Sequence, residues 1–223
     1  MAMTPEAMTP EAPVEALAAL RKSEARMLAK VAPLDDATMV RPSLLPGWTV
    51  AHVLTHLARN ADSHRRRTRA ATEGVMVDQY PGGLEERAAE IEAGSGRPAE
   101  TIIADVRSAT DRLLEAWSDV PAYAWANITR DATGRERPLH ELPTRRILEV
   151  EVHLVDLGIG FTHRDWPDDF VNALLPDMRD GAAVRLTSGD VLPPAGNLDP
   201  NDELAWLVGR ISGDDLPQLG PWK

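Results

Sequence analysis

The sequence predicts a mainly helical protein, a bundle of long helices followed by a smaller C-terminal domain. Apolar residues recur at helical spacing in four segments, and turns rich in proline and glycine separate these segments. After Gly160 the pattern changes and prolines interrupt the chain often. We therefore expect a flexible N-terminus at 1–12, a helical bundle at 13–160 and a small second domain at 161–223.

The first two helices have clear boundaries in the sequence. Spaced apolar residues predict a first helix from about residue 13 to residue 31. The turn Leu45-Pro-Gly-Trp48 follows, and Thr49 is a typical residue to precede a second helix. That helix should run to about residue 73 and end at Gly74.

The remaining elements follow from the same signals. A third helical region covers about 84–118 and is interrupted near 94–96, and residues 121–142 are irregular with short extended pieces. A fourth long segment, 143–157, begins at a proline and is closed by Gly158. Its alternation of Glu149, Glu151 and His153 also fits a strand, but the long unbroken pattern favours a helix. The small domain should contain helices near 167–180 and 201–210.

Composition excludes several function classes. The net charge of −11 disfavours nucleic acid and anionic membranes as partners, and we interpret the basic run at 64–69 as the solvated face of a helix. No segment reaches the roughly 18 apolar residues of a membrane span, and no signal peptide is visible, so a cytoplasmic location is expected. The chain has no cysteine, so any thiol chemistry needs a thiol from a cofactor.

Two pairs of residues have the spacing of metal ligands. His52 and His56 are four residues apart in the second helix, as are Glu149 and His153 in the apolar fourth segment. A buried carboxylate and imidazole need partners, either each other or a cation. One histidine of the second helix with Glu149 and His153 would suit Zn²⁺ and leave a coordination position open. We expect His64 to be exposed, and His140 and His163 to lie in loops.

Four motifs follow one another along the chain, namely Leu45-Pro-Gly-Trp-Thr49, His52-Val-Leu-x-His56-Leu-Ala-Arg59-Asn60-Ala-Asp62, Arg146-x-x-Glu149-Val-x-Val-His153-x-Val-Asp156-Leu-Gly158 and Ala205-Trp-Leu-Val-Gly-Arg210. In this order they resemble the mycothiol-dependent maleylpyruvate isomerase family. The likeness extends from about residue 40 to residue 222, nearly the whole chain.

The resemblance implies a fold, a ligand set and a catalytic residue. The N-terminal part would be a DinB-like four-helix bundle, completed by a small C-terminal α/β domain that is reduced here, because the segment from Val184 to Asp202 is short and rich in proline. His52, Glu149 and His153 match the family's metal ligands. Arg210 matches a catalytic arginine, which would bind a substrate carboxylate through two hydrogen bonds.

The chemistry expected from this resemblance is metal-assisted thiol addition. Mycothiol would be the thiol and a divalent ion, predicted to be Zn²⁺, would lower its pKa. The thiolate would add to a double bond conjugated to a carbonyl. Rotation about the resulting single bond and elimination of the thiolate would convert maleylpyruvate to fumarylpyruvate.

Supporting roles and alternative functions follow from the same residues. Asn60 and Asp62 could contact the cofactor or lie on the helix surface, and His56 and Asp156 could support the ligands by hydrogen bonding. The substrate would be an unsaturated oxo acid or another electrophile, and the protein a monomer or homodimer. Alternatives are a mycothiol S-transferase, a non-catalytic metal-binding or regulatory bundle, and a hydrolase that uses metal-bound hydroxide.

Overall fold

The computed structural model describes residues 11–187, 191–213 and 215–220, so most of the predicted N-terminal segment 1–12 and the end of the tail lie outside the described residues. The chain divides into two compact units, Met1–Leu157 and Gly158–Lys223. That each unit folds as an independent domain, with the predicted bounds 13–160 and 161–223, stays a prediction. Among the described residues no helix is long and apolar enough to cross a membrane.

The first unit is built from helices, which confirms the predicted fold class. Three of its helices reach 18 residues or more, and a fourth has 15. Their bounds are α1 Val14–Val31, α2 Asp36–Met39, α3 Val50–Thr72, α4 Gly83–Ser95, α5 Ala99–Ser118 and α6 Leu142–Asp156. Helix α3 packs against α4, α5 and α6, and α1 packs against α5 and α6.

Local sequence signals explain where α3 begins and ends. Thr49 precedes the helix, and its side chain and that of His52 form a reciprocal capping box with the backbone. Gly74 follows the helix with a φ of +72°, in the left-handed region that glycine reaches at no steric cost. The predicted bounds of this helix are therefore confirmed to within a residue or two.

The fourth segment is a helix and not a strand. In α6, Glu151 accepts a hydrogen bond from Ser23 of α1 at 2.7 Å, whereas Glu149 and His153 contact His56 of α3. A strand would have placed all three polar residues on one face. The helical twist instead directs the carboxylate of Glu151 to one neighbouring helix and the Glu149–His153 pair to another.

The predicted irregular region contains the only sheet among the described residues. Strands β1 Ile128–Arg130 and β2 Glu136–Pro138 form a two-stranded antiparallel hairpin. Gly134 lies in its turn with a φ of +83°. These are the short extended pieces that the sequence indicated between the third and fourth long helical segments.

The second unit has a small helical core. Helices α7 Asp168–Asp180 and α8 Pro200–Leu207 pack against each other, with Trp166, Phe170 and Trp206 buried. Between the described residues of this unit, extended pairing is limited to one isolated bridge, Leu186 with Leu219. The described residues of this unit are thus mostly helical, and that it is a reduced α/β domain stays a prediction.

The basic run at 64–69 is not the fully solvated face that we expected. His64 is 2% exposed and Arg67 is 3% exposed. The His64 ring contacts Trp117 edge to face at 5.9 Å, and Arg67 donates to the carbonyl of Arg130. The expectation failed because α3 is covered on several sides, by other helices and by the hairpin, so even a charged segment has a buried face.

Candidate metal centre

Three side chains from α3 and α6 converge at one point. The Nε2 atom of His56 lies 3.0 Å from Oε2 of Glu149 and 3.1 Å from Nε2 of His153. Oε2 of Glu149 and Nε2 of His153 are 3.5 Å apart. His56 comes from the middle of the first half of α3, and the other two are one helical turn apart on α6. This is the one cluster of metal-ligand character found among the described residues.

The donor set and its dimensions suit a divalent cation. Two imidazole nitrogens and one carboxylate oxygen are ligands that zinc accepts, and three protein ligands leave a further position open. The ligand atoms of a tetrahedral zinc ion lie about 3.3 Å apart, given bonds of about 2.0–2.1 Å. The observed separations of 3.0, 3.1 and 3.5 Å are close to that edge length. The residues present therefore fit a metal ion.

The charges in the cluster favour a cation. Burial lowers the pKa of His56 to about 4, so this imidazole is neutral at pH 7. Burial also disfavours charge on Glu149 and His153, but hydrogen bonds outweigh it in both cases. Bonds from His153 and His56 hold the pKa of Glu149 well below its usual range, and bonds to Asp156 and Glu149 raise the pKa of His153. The cluster thus has an ionised carboxylate beside a neutral His56, and a cation that binds there would take the place of the proton that these hydrogen bonds favour on His153.

Asp156 orients His153. Its Oδ2 atom lies 2.8 Å from Nδ1 of His153, and its side chain is almost completely buried. Because a carboxylate can only accept, Nδ1 carries a proton and donates it. In the neutral ring Nε2 then has the lone pair, and this nitrogen faces His56 and Glu149. Metal-binding histidines commonly have such a partner for their second ring nitrogen.

Trp48 and Arg87 complete the surroundings of His56. The indole of Trp48 lies beside the His56 ring, with centroids 5.8 Å apart. Nη2 of Arg87, from α4, lies 2.9 Å from Nδ1 of His56. Since a guanidinium can only donate, Nδ1 of His56 accepts this bond. Sequence reasoning did not identify Arg87, because α4 has few buried residues and no motif surrounds it.

The structure places His56, and not His52, with Glu149 and His153. Nδ1 of His52 accepts from the backbone N–H of Thr49 at 3.2 Å, and Nε2 lies 3.1 Å from Oε2 of Glu92. Nε2 also lies 3.2 Å from Oγ of Ser95, so both ring nitrogens of His52 contact groups other than Glu149 and His153. His56, which we had expected only to support the ligands, therefore takes the place of His52 in the cluster, and the identity of the metal ligands stays a prediction.

A local signal could have separated the two histidines. Thr49 precedes α3, so His52 is the third residue of the helix, the position whose side chain completes a capping box. A histidine there is already used by the backbone. His56, one turn later, has no such local partner and faces α6.

Asn60 and Asp62 do not join the cluster. Asn60 is 1% exposed, and its Oδ1 atom accepts from Nη1 of Arg146 at 2.9 Å. This bond belongs to a buried polar network in which Arg146 pairs with Glu24 at 2.7 Å. Asp62 forms ion pairs with Arg59 and Arg112 on the more exposed side of α3. A contact of either residue with a cofactor stays a prediction, and the burial of Asn60 argues against it.

The other predicted residues lie away from the cluster or in the second unit. Nδ1 of His140 lies 3.2 Å from the carbonyl oxygen of Trp125. In the second unit His163 contacts Asp202 at 2.8 Å, and Arg210 follows α8 and lines a cleft of about 920 Å³ within that unit. Nη1 of Arg210 donates to the carbonyl of Val208 at 2.8 Å.

Comparisons with known proteins identify one family and two similar crystal structures. Residues 20–158 match the family described as the mycothiol maleylpyruvate isomerase N-terminal domain. A crystal structure of the mycothiol-dependent maleylpyruvate isomerase is similar, with a TM-score of 0.80, 26% sequence identity and coverage of 92% of this chain and 91% of that chain. A crystal structure of a histidine-to-alanine mutant of such an isomerase gives the same values. No curated protein matches the chain.

Proposed function

The chain belongs to the mycothiol maleylpyruvate isomerase N-terminal domain family, and from this membership we propose that it is a metal-dependent and mycothiol-dependent cis–trans isomerase. The substrate is a small unsaturated oxo acid of the maleylpyruvate type. The thiol adds to the activated double bond and leaves again, so the substrate changes geometry but not composition. Because the chain has no cysteine, the thiol comes from the cofactor.

One observation carries the proposal, namely the convergence of His56, Glu149 and His153. Three donor atoms of the types that zinc accepts lie within 3.0–3.5 Å of one another, on two helices far apart in sequence. We propose these three residues as the ligands of a divalent metal ion. When bound there, the ion stabilises the thiolate of the cofactor near neutral pH and so supplies the nucleophile.

The residues of the chain prepare this site in distinct ways. Asp156 holds the proton of His153 on Nδ1 and thereby leaves Nε2 free to coordinate. The pKa of Glu149 is well below its usual range, so the carboxylate is ionised at neutral pH. The pKa of His56 is about 4, so the ring is neutral at pH 7 and one of its two nitrogens has a lone pair. Trp48 covers the edge of the cluster next to His56.

We propose that Arg210, in the second unit, binds a carboxylate of the substrate. The resemblance assigns it to the binding of a substrate carboxylate, and a guanidinium suits this task because its paired N–H groups match the two oxygens. In the second unit its side chain lines a cleft large enough for a small organic acid.

The matched pair His56→Ala and His52→Ala tests the ligand set. Both histidines lie on α3 one turn apart, and the same atoms are removed in each case. After purification and reconstitution with Zn²⁺, metal content is measured by elemental analysis and isomerisation of maleylpyruvate is assayed with and without mycothiol. We expect His56→Ala to lose stoichiometric metal and activity, whereas His52→Ala should retain its metal.

The results also distinguish the alternatives. Loss of metal in His52→Ala with full retention in His56→Ala would refute the proposed ligand set. A wild-type protein that binds no metal would instead favour a non-catalytic binding or regulatory bundle. Product analysis separates the two thiol reactions, because an isomerase returns the thiol and an S-transferase produces a stable conjugate. Turnover of an ester or amide without thiol would identify a hydrolase.

A further inference from the structure

Arg87 has an unusual position next to the candidate metal centre. Its guanidinium lies 6.0 Å from the ring centroid of Trp48 and 5.5 Å from that of Tyr80, and Nη2 donates to Nδ1 of His56 at 2.9 Å. In the described part of the chain, no carboxylate forms an ion pair with it within 4.0 Å, although Glu86 and Glu90 are neighbours on α4. The two aromatic faces thus hold a cation in place without neutralising it.

A small cavity opens beside this guanidinium. It has a volume of about 150 Å³, and Arg59, Arg66 and Arg87 all contribute to its wall. The Nε atoms of Arg59 and Arg66 are buried and have no hydrogen-bond partner. Asp62, the one half-buried carboxylate of the wall, is used by Arg59 and Arg112, while Glu86 and Glu90 are exposed. Three guanidinium groups therefore line a cavity whose half-buried carboxylate is already paired, a setting that favours an anionic ligand.

The hydrogen bond of Arg87 is incompatible with a metal ion on His56. A neutral imidazole has one N–H and one lone pair. While Arg87 donates to Nδ1, the proton is on Nε2 and points towards Glu149. Coordination through Nε2 moves the proton to Nδ1, and two N–H donors then face each other. Unlike the backbone N–H that holds His52, the long side chain of Arg87 can turn away or admit an acceptor between the donors.

We propose that Arg87 and Nδ1–H of His56 form a carboxylate-binding site that is completed only when the metal ion is bound. The ligand is the carboxylate of the anionic substrate, whose oxygen accepts from both donors. Metal-binding histidines commonly donate their second N–H to such a group, and guanidinium groups suit carboxylates geometrically. This inference rests on the proposed function. It assigns to Arg87 the recognition of a substrate carboxylate next to the metal centre.

The test measures binding without turnover. Wild type, Arg87→Met and, as a control, Arg21→Met are titrated with Zn²⁺ in the absence and presence of succinate, a saturated dicarboxylate that cannot undergo the reaction. Arg21 is exposed on α1, so the control removes the same charge away from the cluster. Zinc affinity is measured by competition with a chelator, and far-UV circular dichroism verifies folding.

We expect Arg87→Met to gain zinc affinity and to lose the coupling between zinc binding and succinate binding. Without succinate, Arg87→Met should bind Zn²⁺ about tenfold more tightly than wild type, because no donor competes for Nδ1 of His56. In wild type and Arg21→Met, succinate should tighten zinc binding, and zinc should tighten succinate binding by the same factor. This linkage should disappear in Arg87→Met. In Arg87→Lys, which keeps a cation between the rings, part of it should remain.

Two outcomes would refute the carboxylate-binding site alone, and a third would also refute the proposed metal centre. Unchanged linkage in Arg87→Met would show that the anion binds elsewhere. Weaker zinc binding in Arg87→Met would show that the guanidinium merely supports the fold of the cluster. A wild-type protein that binds no Zn²⁺ would refute the metal centre and this inference together, and that result is distinguishable from the other two.

Discussion

Replacing Glu24 tests how strongly the buried polar network stabilises the first unit. Glu24 is 1% exposed, and its Oε1 atom pairs with Nε of Arg146, which is 0% exposed, at 2.7 Å. Its Oε2 atom accepts from Thr110 at 3.0 Å. In Glu24→Ala the guanidinium keeps its bonds to Leu57 and Asn60 but loses its only carboxylate partner among the described residues.

The expected loss follows from an uncompensated buried charge. Removal of one partner of a buried ion pair costs about 3–5 kcal/mol, far more than the pair itself contributes relative to an apolar pair. At roughly 2–4 °C per kcal/mol for a chain of this length, the melting temperature should fall by about 6–20 °C. Glu24→Gln keeps an acceptor for Arg146 and should lose about half as much.

Urea denaturation followed by far-UV circular dichroism measures this loss. Glu15→Ala is the matched control, because Glu15 lies on the same helix but is exposed, and it should change the free energy of unfolding by less than about 0.5 kcal/mol. A loss below about 1 kcal/mol in Glu24→Ala would refute the reasoning, since it would mean that water reaches Arg146 when the carboxylate is absent.

Two further predictions concern the histidines. Asp156→Asn removes the charge that orients His153, and zinc affinity measured by chelator competition should fall about 10–100-fold, whereas unchanged affinity would exclude a supporting role for Asp156. Burial and the nearby Arg67 and Arg146 hold the pKa of His64 well below its usual range, so this residue is neutral in the folded state but binds a proton below pH 6.5 when unfolded. Below pH 6.5 the free energy of unfolding therefore falls by about 1.4 kcal/mol per pH unit because of His64. In the metal-free variant His64→Leu, urea denaturation at several pH values should show a dependence on pH that is weaker by this amount. Equal acid sensitivity in the two proteins would contradict the buried neutral state.

Much of the fold could be predicted from local sequence because its signals are local. The spacing of apolar residues along α1, α3 and α5 determines which face of each helix is buried, and Thr49 and Gly74 determine where α3 begins and ends. The burial of residues around Arg67 could not be predicted in this way. It depends on the hairpin that covers the end of α3, a contact between residues far apart in the chain.

By itself the sequence determined one half of the candidate site. Glu149 and His153 are one turn apart in an apolar helix, so their proximity is a property of the helix and needs no tertiary information. The choice between His52 and His56 was different, because residues four apart share a helix face and spacing cannot separate them. The packing of α3 on α6 brings His56 to Glu149. His52 instead accepts a hydrogen bond from the backbone at the start of α3. Arg87 reaches the cluster from a third helix, through a contact that no local pattern encodes.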